Sequence, residues 1–199
     1  MKKNRVSVIV ICLFTLFYVQ SALAQGQEWK FDKAHSNFYF DIHHIYSTIR
    51  GYFSEYSGTF QFDPTHPEQG EMKFDIKVKS IQTAVEQRDT HLLSDAFFAV
   101  GKYPSIKFYS TSIKKTEENQ YDVMGLLTIK DVTKEVTIPM TFLGEKDHPM
   151  LTGSKVAGFE GRLTLDRLEY HVGDGSFYKM GAVGKDVVVT ISLEMLRDK

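Results

Sequence analysis

Cysteine is almost absent from this chain: Cys12 is the single one in 199 residues, so no intramolecular disulfide can form and a disulfide-stapled scaffold is excluded. Proline (5) is scarce, and glycine (14) follows no period, which removes collagen-like and low-complexity architectures. An excess of one charge is missing as well. Lys and Arg number 24 against 25 Asp and Glu, a formal net charge of −1, without the basic stripe that neutralises nucleic-acid phosphates. No nucleic-acid partner is therefore expected. Nor does any apolar run reach the roughly 20 residues that span a bilayer.

What is present begins with an address. Residues 1–24 carry Lys2, Lys3 and Arg5, then an uncharged apolar run from Val6 to Val19, then Ala22-Leu23-Ala24 before Gln25. That order of basic, apolar and small residues predicts a secretory signal cleaved near Ala24, and a periplasmic or secreted protein without a transmembrane segment. Cys12 lies inside the apolar run with no small-residue lipobox before it, so a lipoprotein anchor is not expected. Residues 25–199 are then one cysteine-free domain, mildly acidic once three bases are lost, and rich in Phe and Tyr. Its stability must come from a packed core.

The core is legible as alternation. From Met72 to Lys79 apolar residues occupy every second position, with Lys73, Asp75, Lys77 and Lys79 between them, which is the period of a half-buried strand. The same pattern recurs around Phe38, Phe60, Ile106, Tyr121–Ile129, Val136–Phe142, Phe159–Leu165 and Val187–Met195. Eight strands are predicted. Short turn signals such as Asp63-Pro64, Glu118-Asn119-Gln120 and Lys130-Asp131 separate them, so neighbours should run antiparallel. Residues 82–101 lack the alternation and read as a short helical excursion. Eight antiparallel strands leave a sandwich or a closed barrel, and Phe and Met on the apolar face favour a barrel with an adaptable interior.

Catalytic signatures are missing. There is no Gly-x-Ser-x-Gly, no thiol in residues 25–199, and no His-x-x-x-His or carboxylate–His ligand spacing among the seven His. No catalytic residue, metal or cofactor is expected. The stretch Arg88-Asp89-Thr90-His91-Leu92 with Asp95-Ala96-Phe97-Phe98 is denser in charge and aromatics than its surroundings. It reads as an Asp N-cap with an Arg bridging to the barrel and two Phe plugging one end, or as the mouth of a cavity, and both can hold.

These residues also form a recognisable series. Asp32-x-x-His35-Ser36, Phe38-x-Phe40, His44, Ile49-Arg50-Gly51-x-Phe53, Gly58-x-Phe60-x-Phe62-Asp63-Pro64, Arg88-Asp89-x-His91-Leu92, Tyr103-Pro104-x-Ile106-x-Phe108 and Gly125-x-Leu127-Thr128-Ile129-Lys130 stand in this order. In order and spacing they resemble the YceI-like family of lipocalin-like, polyisoprenoid-binding proteins. Two stretches depart from its pattern. Asp131 stands where the family usually has a turn glycine, and Asp166–His171 replaces an Asn-Arg-Ser-Asp-Phe-Gly-like stretch.

The resemblance implies an all-β, eight-stranded antiparallel barrel that binds, carries or stores an amphiphile: an isoprenoid, a quinone or a fatty-acid-like lipid. It also admits a homodimer. Alternation then assigns Phe38, Phe40, Ile42, Phe60, Phe62, Phe74, Ile76, Phe97, Phe98, Phe108 and Phe142 to the cavity, and His35, His44, Arg50, Arg88, Asp89 and His91 to a polar rim or head-group contact. An enzyme with a His and an Asp at the mouth, or a scaffold with a dry, filled barrel, are the alternatives.

Overall fold

The computed structural model describes residues 26–199, so the predicted signal segment lies outside the described residues. Eleven strand segments form one antiparallel sheet that closes on itself: β1 (Glu28–Phe31), β4 (Tyr56–Gln61), β5 (Glu71–Lys77), β7 (Ser105–Glu117), β8 (Gln120–Ile129), β9 (Val132–Asp147), β10 (Ser154–Asp166) and β11 (Val183–Asp198) make the ring. The closing pair is β1 with β11, in the register Lys30 to Leu196 and Phe31 to Met195. The ring therefore has eight strands, as the alternation predicts.

Its membership differs from the prediction. The predicted strand around Phe38 is β2 (Asn37–His44), which continues β1 along β11 and leads away from the ring, followed by β3 (Ser47–Phe53) and β6 (Ile81–Gln82). Alternation misses β1, β3 and β6. The sheet divides because three chain segments break at one level: at Asp32–Ser36, at Ser54–Glu55, and at a 3-10 turn over Val78–Ser80. Serines replace the interrupted ladder. Ser36 Oγ donates to Glu194 O and accepts from Glu194 N, and Ser80 Oγ donates to Lys77 O and accepts from Glu55 N. These bonds satisfy backbone groups that the breaks would otherwise leave unpaired.

Above the break β6 pairs only with β3. The space beside it is spanned by α1 (Glu86–Leu93) and the turns through Tyr103, the excursion expected over 82–101. This helix has Val85 at its N-cap and no side-chain cap. Asp89 is therefore not the N-cap the sequence predicts. It sits inside the helix and ties it backward, accepting from the backbone N and the hydroxyl of Thr83.

Below the break the far end of the barrel is filled by an aromatic plug. Phe60, Phe62, Tyr121, Phe142 and Phe159 meet with centroids 4.7–5.8 Å apart, and the Trp29 indole donates to Phe62 O. Tilted and edge-on contacts of this kind add about 0.5–1.5 kcal/mol per pair beyond area burial. In the tight turn between β8 and β9 the left-handed backbone falls on Lys130, at φ 54°, and not on Asp131. That conformation turns Lys130 Nζ to the carbonyl of Phe97, and Asp131 accepts from His171 Nδ1 instead.

Candidate functional site

Inward side chains of β2, β3, β10 and β11, with α1, Phe97, Phe98 and the turn before β11, enclose a cavity of about 340 Å³. Phe40, Phe53, Ile106, Ile129, Leu165 and Val189 line both this chamber and a second of about 90 Å³ below it. Phe74, Phe108, Ile138 and Ile191 then join the second to a remnant of about 20 Å³ at the aromatic plug. The interior is thus a tapering apolar shaft of three chambers that share walls, widest at the α1 end and stopped at the other.

Gly51 shapes its wall. A Cβ there would stand 2.2 Å from Cζ of Phe40, its cross-strand partner. Without one, the Phe40 ring lies flat across the strand and leaves the shaft open.

Most residues assigned to the cavity stand in its wall. Phe40, Ile42, Phe97 and Phe98 line the large chamber, Phe38 and Ile76 the second, Phe74 and Phe108 the lower two, and Phe60 only the remnant. Phe62 and Phe142 do not. Both point inward, but Phe62 is fully buried and packs on Phe142, Tyr121 and Phe159, so these rings are plug rather than wall.

The predicted rim divides three ways. His44, Arg88 and His91 line the large chamber. Arg88 donates from Nε and Nη2 to Thr83, and the His91 ring meets Phe97 edge-on at 4.9 Å. Arg50 lies on the outer face: with Ile49 inward, period two sends Arg50 outward, where its Nε and Nη2 grip Asp41 at 2.8 and 2.7 Å. His35 stands away from the chamber, in the exposed turn at the break, beside Asp32 and Glu194. Asp89 faces Thr83 and makes no hydrogen bond to His91 among the described residues; two positions along a helix separate them by about 200°. An acid–base pair of these two is not assembled.

His35 corrects a further expectation. Asp32-x-x-His35 is a carboxylate–His spacing, and the turn before β2 brings Asp32 Oδ2 to 2.9 Å and Glu194 Oε1 to 3.9 Å from His35 Nδ1. These three side chains place potential ligand atoms within 4.8 Å of one another, though the Asp32–His35 hydrogen bond accounts for the geometry without an ion. Asp32 raises the His35 pKa, and His35 lowers that of Asp32. A raised His pKa stabilises below the unfolded value of about 6.5 and is lost as pH rises through the folded value; the depressed Asp acts above about 3.9 and is lost on acidification. The pair therefore contributes most between about pH 4 and 6.5. An NMR titration should find the His35 midpoint above 6.5, returning to the ordinary value in Asp32→Asn.

Sequence reasoning missed several wall residues: Ile49, Phe53, Thr83, Arg167, Tyr170, Phe177 and Val183. Ile49 and Phe53 lay in a motif but not in a recognised strand. Arg167 and Tyr170 lay in the stretch noted only as a departure, and no local pattern marks them as inward. No helix among the described residues is long and apolar enough to cross a membrane.

Comparison with known proteins places this shaft in a context. Protein YceI of Salmonella arizonae is 35% identical over 202 aligned positions, covering all of both chains. The crystal structure of Burkholderia cenocepacia BcnA aligns with a TM-score of 0.74 at 25% identity, over 83% of this chain and 99% of that one. The Campylobacter jejuni YceI protein aligns at 0.70 and 26% identity, over 79% and 90%. A polyisoprenoid binding domain from Saccharophagus degradans shares the fold, at 0.61 and 14% identity over 84% and 96%. The YceI-like domain profile matches residues 29–195, so nearly the whole closed barrel, from Trp29 in the first strand to Met195 in the last, belongs to the YceI-like family.

Proposed function

We propose that this protein binds one amphiphile with an isoprenoid or acyl tail and carries or stores it unchanged, outside the cytoplasm, after loss of residues 1–24. The observation that carries the reading is the tapering shaft: a chamber of about 340 Å³, within the range of about 300–1,000 Å³ typical of small-molecule sites, walled mainly by Phe, Ile, Leu and Val. Burying a methylene gains about 0.8 kcal/mol, so ten of them supply about 8 kcal/mol before the cost of ordering the chain. That is enough to hold a lipid tail out of water. A taper admits a chain lengthwise and leaves its head at the wide end, where the polar wall residues lie. The fold shared with a domain named as polyisoprenoid binding supports the same reading.

The test is mass spectrometry of an organic extract from protein exported by its host and purified without detergent. A stoichiometric isoprenoid, quinone or acyl lipid is expected. An empty extract from a protein that takes up no lipid on incubation would sink the proposal in favour of a dry scaffold.

A further inference from the structure

Large apolar side chains stand in water at the α1 end of the barrel. Tyr46 is 97% and Ile45 50% exposed at the tip of the β2–β3 hairpin, Met180 is 68% exposed just after the helical turn Ser176–Lys179, and Tyr178 on that turn is half-exposed. Each stands beside the chamber wall in the chain. His44 precedes Ile45, Phe177 precedes Tyr178, and Ala182 follows Met180 by two positions; all three line the large chamber. The backbone N of Ile45 donates to Ala182 O at 3.1 Å, which ties the hairpin tip to the segment after the helical turn. The four exposed side chains therefore border the mouth and continue the apolar wall outward.

The hairpin tip is not what its geometry alone would select. Ile45 and Tyr46 are the two residues joining His44 to its cross-strand partner Ser47, and Ile45 takes the left-handed backbone, at φ 50°. A two-residue loop favours Gly or Asn at such a position, where a β-branched side chain is strained. The turn thus accepts strain while it holds two large apolar groups in water. Charge of one sign does not gather here: Lys179 stands on the helical turn, with Asp174 shortly before it and Glu86 at the start of α1. An exposed apolar patch rimmed by mixed polar groups fits the interface of a lipid bilayer, where tyrosine sets its ring among the head groups and its hydroxyl in water. Projecting tips also suit a surface that yields to them.

We infer that the mouth of the barrel docks on a lipid bilayer, with Ile45, Tyr46, Tyr178 and Met180 seated in the head-group layer, so that a tail passes between membrane and shaft without crossing open water. The inference rests on the lipid-site reading above and adds where the ligand is collected and released. Passage through water would expose every methylene of the tail, whereas a seated mouth joins the two apolar phases. A second exposed apolar tip, Met150 and Leu151 between β9 and β10, lies beyond the plug and lines none of the three chambers. It serves as the control.

The test is flotation of the exported protein with vesicles of palmitoyl-oleoyl phosphatidylcholine. The unaltered protein is expected to float with them. Tyr46→Ser combined with Met180→Ser should lower its partition about tenfold or more, and Met150→Ser combined with Leu151→Ser should leave it within about twofold. All four positions are exposed, so folding is kept. An environment-sensitive fluorophore on a single thiol, Lys179→Cys or Thr152→Cys in a Cys12→Ser background, should shift to the blue on vesicle addition at position 179 and not at 152. Absence of flotation, partition undiminished by the mouth pair, or a blue shift at 152 in place of 179 would overturn the inference. A dimer of the unaltered protein that the mouth pair dissolves would overturn it too, by giving the patch to a second copy. Titration with palmitate in the absence of vesicles keeps the two readings apart. Palmitate bound alike by the unaltered and mouth-pair proteins, without flotation, defeats docking alone; failure of both to bind palmitate defeats the lipid-site reading.

Discussion

Phe62→Ala is expected to destabilise the protein by about 3–5 kcal/mol, the usual cost of truncating a fully packed Phe. For a chain of this length that corresponds to a fall in Tm of about 6–20 °C. The reason is local. Phe62 is fully buried and its ring meets Tyr121, Phe142 and Phe159 with centroids 4.9–5.8 Å apart. Its removal leaves a hole in a plug whose rings are held by contacts on several sides. Because single domains carry a total of only about 5–15 kcal/mol, this one change approaches the threshold of folding. Phe98→Ala, at the edge of the open chamber, should cost less than about half as much, since the ring already faces empty space on one side. Urea unfolding of the two variants measures the contrast; comparable costs would show that the two ends of the barrel are packed alike.

Val189→Trp should have the opposite profile, with binding lost and stability kept. Val189 lines both the large chamber and the one below it, opposite Phe40 on β2 and Leu163 on β10. An indole at this position projects into the shaft where it narrows. Excluding about four methylenes of tail at ~0.8 kcal/mol each removes about 3 kcal/mol, a loss of affinity of about 100-fold. Stability should change by less than about 1 kcal/mol, because the ring fills a void rather than overpacking a filled core. Titration with palmitate or an isoprenoid alcohol, alongside thermal unfolding, reads both quantities. Undiminished affinity would place the tail outside the shaft.

The two substitutions separate residues that look alike in the sequence. Phe38, Phe40, Phe60 and Phe62 all stand at alternating positions, and all four turn inward. Whether an inward ring lines space or fills it depends on which strands face it across the barrel. Phe62 is met by Phe142 and Phe159 from β9 and β10, whereas Phe40 lies against Gly51 and faces a chamber. The same distinction explains the strand that alternation overlooked. On β3 the inward face reads Ile49, Gly51, Phe53, and its middle position shows no hydrophobic signal because the apolar group covering it belongs to Phe40 on the neighbouring strand.

The polar candidates show a similar limit. Arg50, His35 and Asp89 carry family-like motifs, yet they pair with Asp41 on the outer face, with Asp32 in the exposed turn at the break, and with Thr83 behind the helix. Arg167, a buried cation with one arm unpaired, was visible only as a departure from a motif. Its burial follows from contacts with Gly184 and Val172, 17 and 5 residues away in the chain.

What the chain determined by itself is therefore what period two can encode: an all-β fold, seven of the eight ring strands, inward and outward faces, and an irregular excursion near residues 82–101. These are local properties, since successive side chains on a strand point to opposite sides wherever that strand is later placed. The tertiary structure alone decided that three segments break at one level, that the barrel is open at the α1 end and plugged at the other, and that one arginine is sealed in the wall with a donor to spare. Those outcomes depend on volumes and partners summed across strands far apart in sequence, and no local pattern carries that sum.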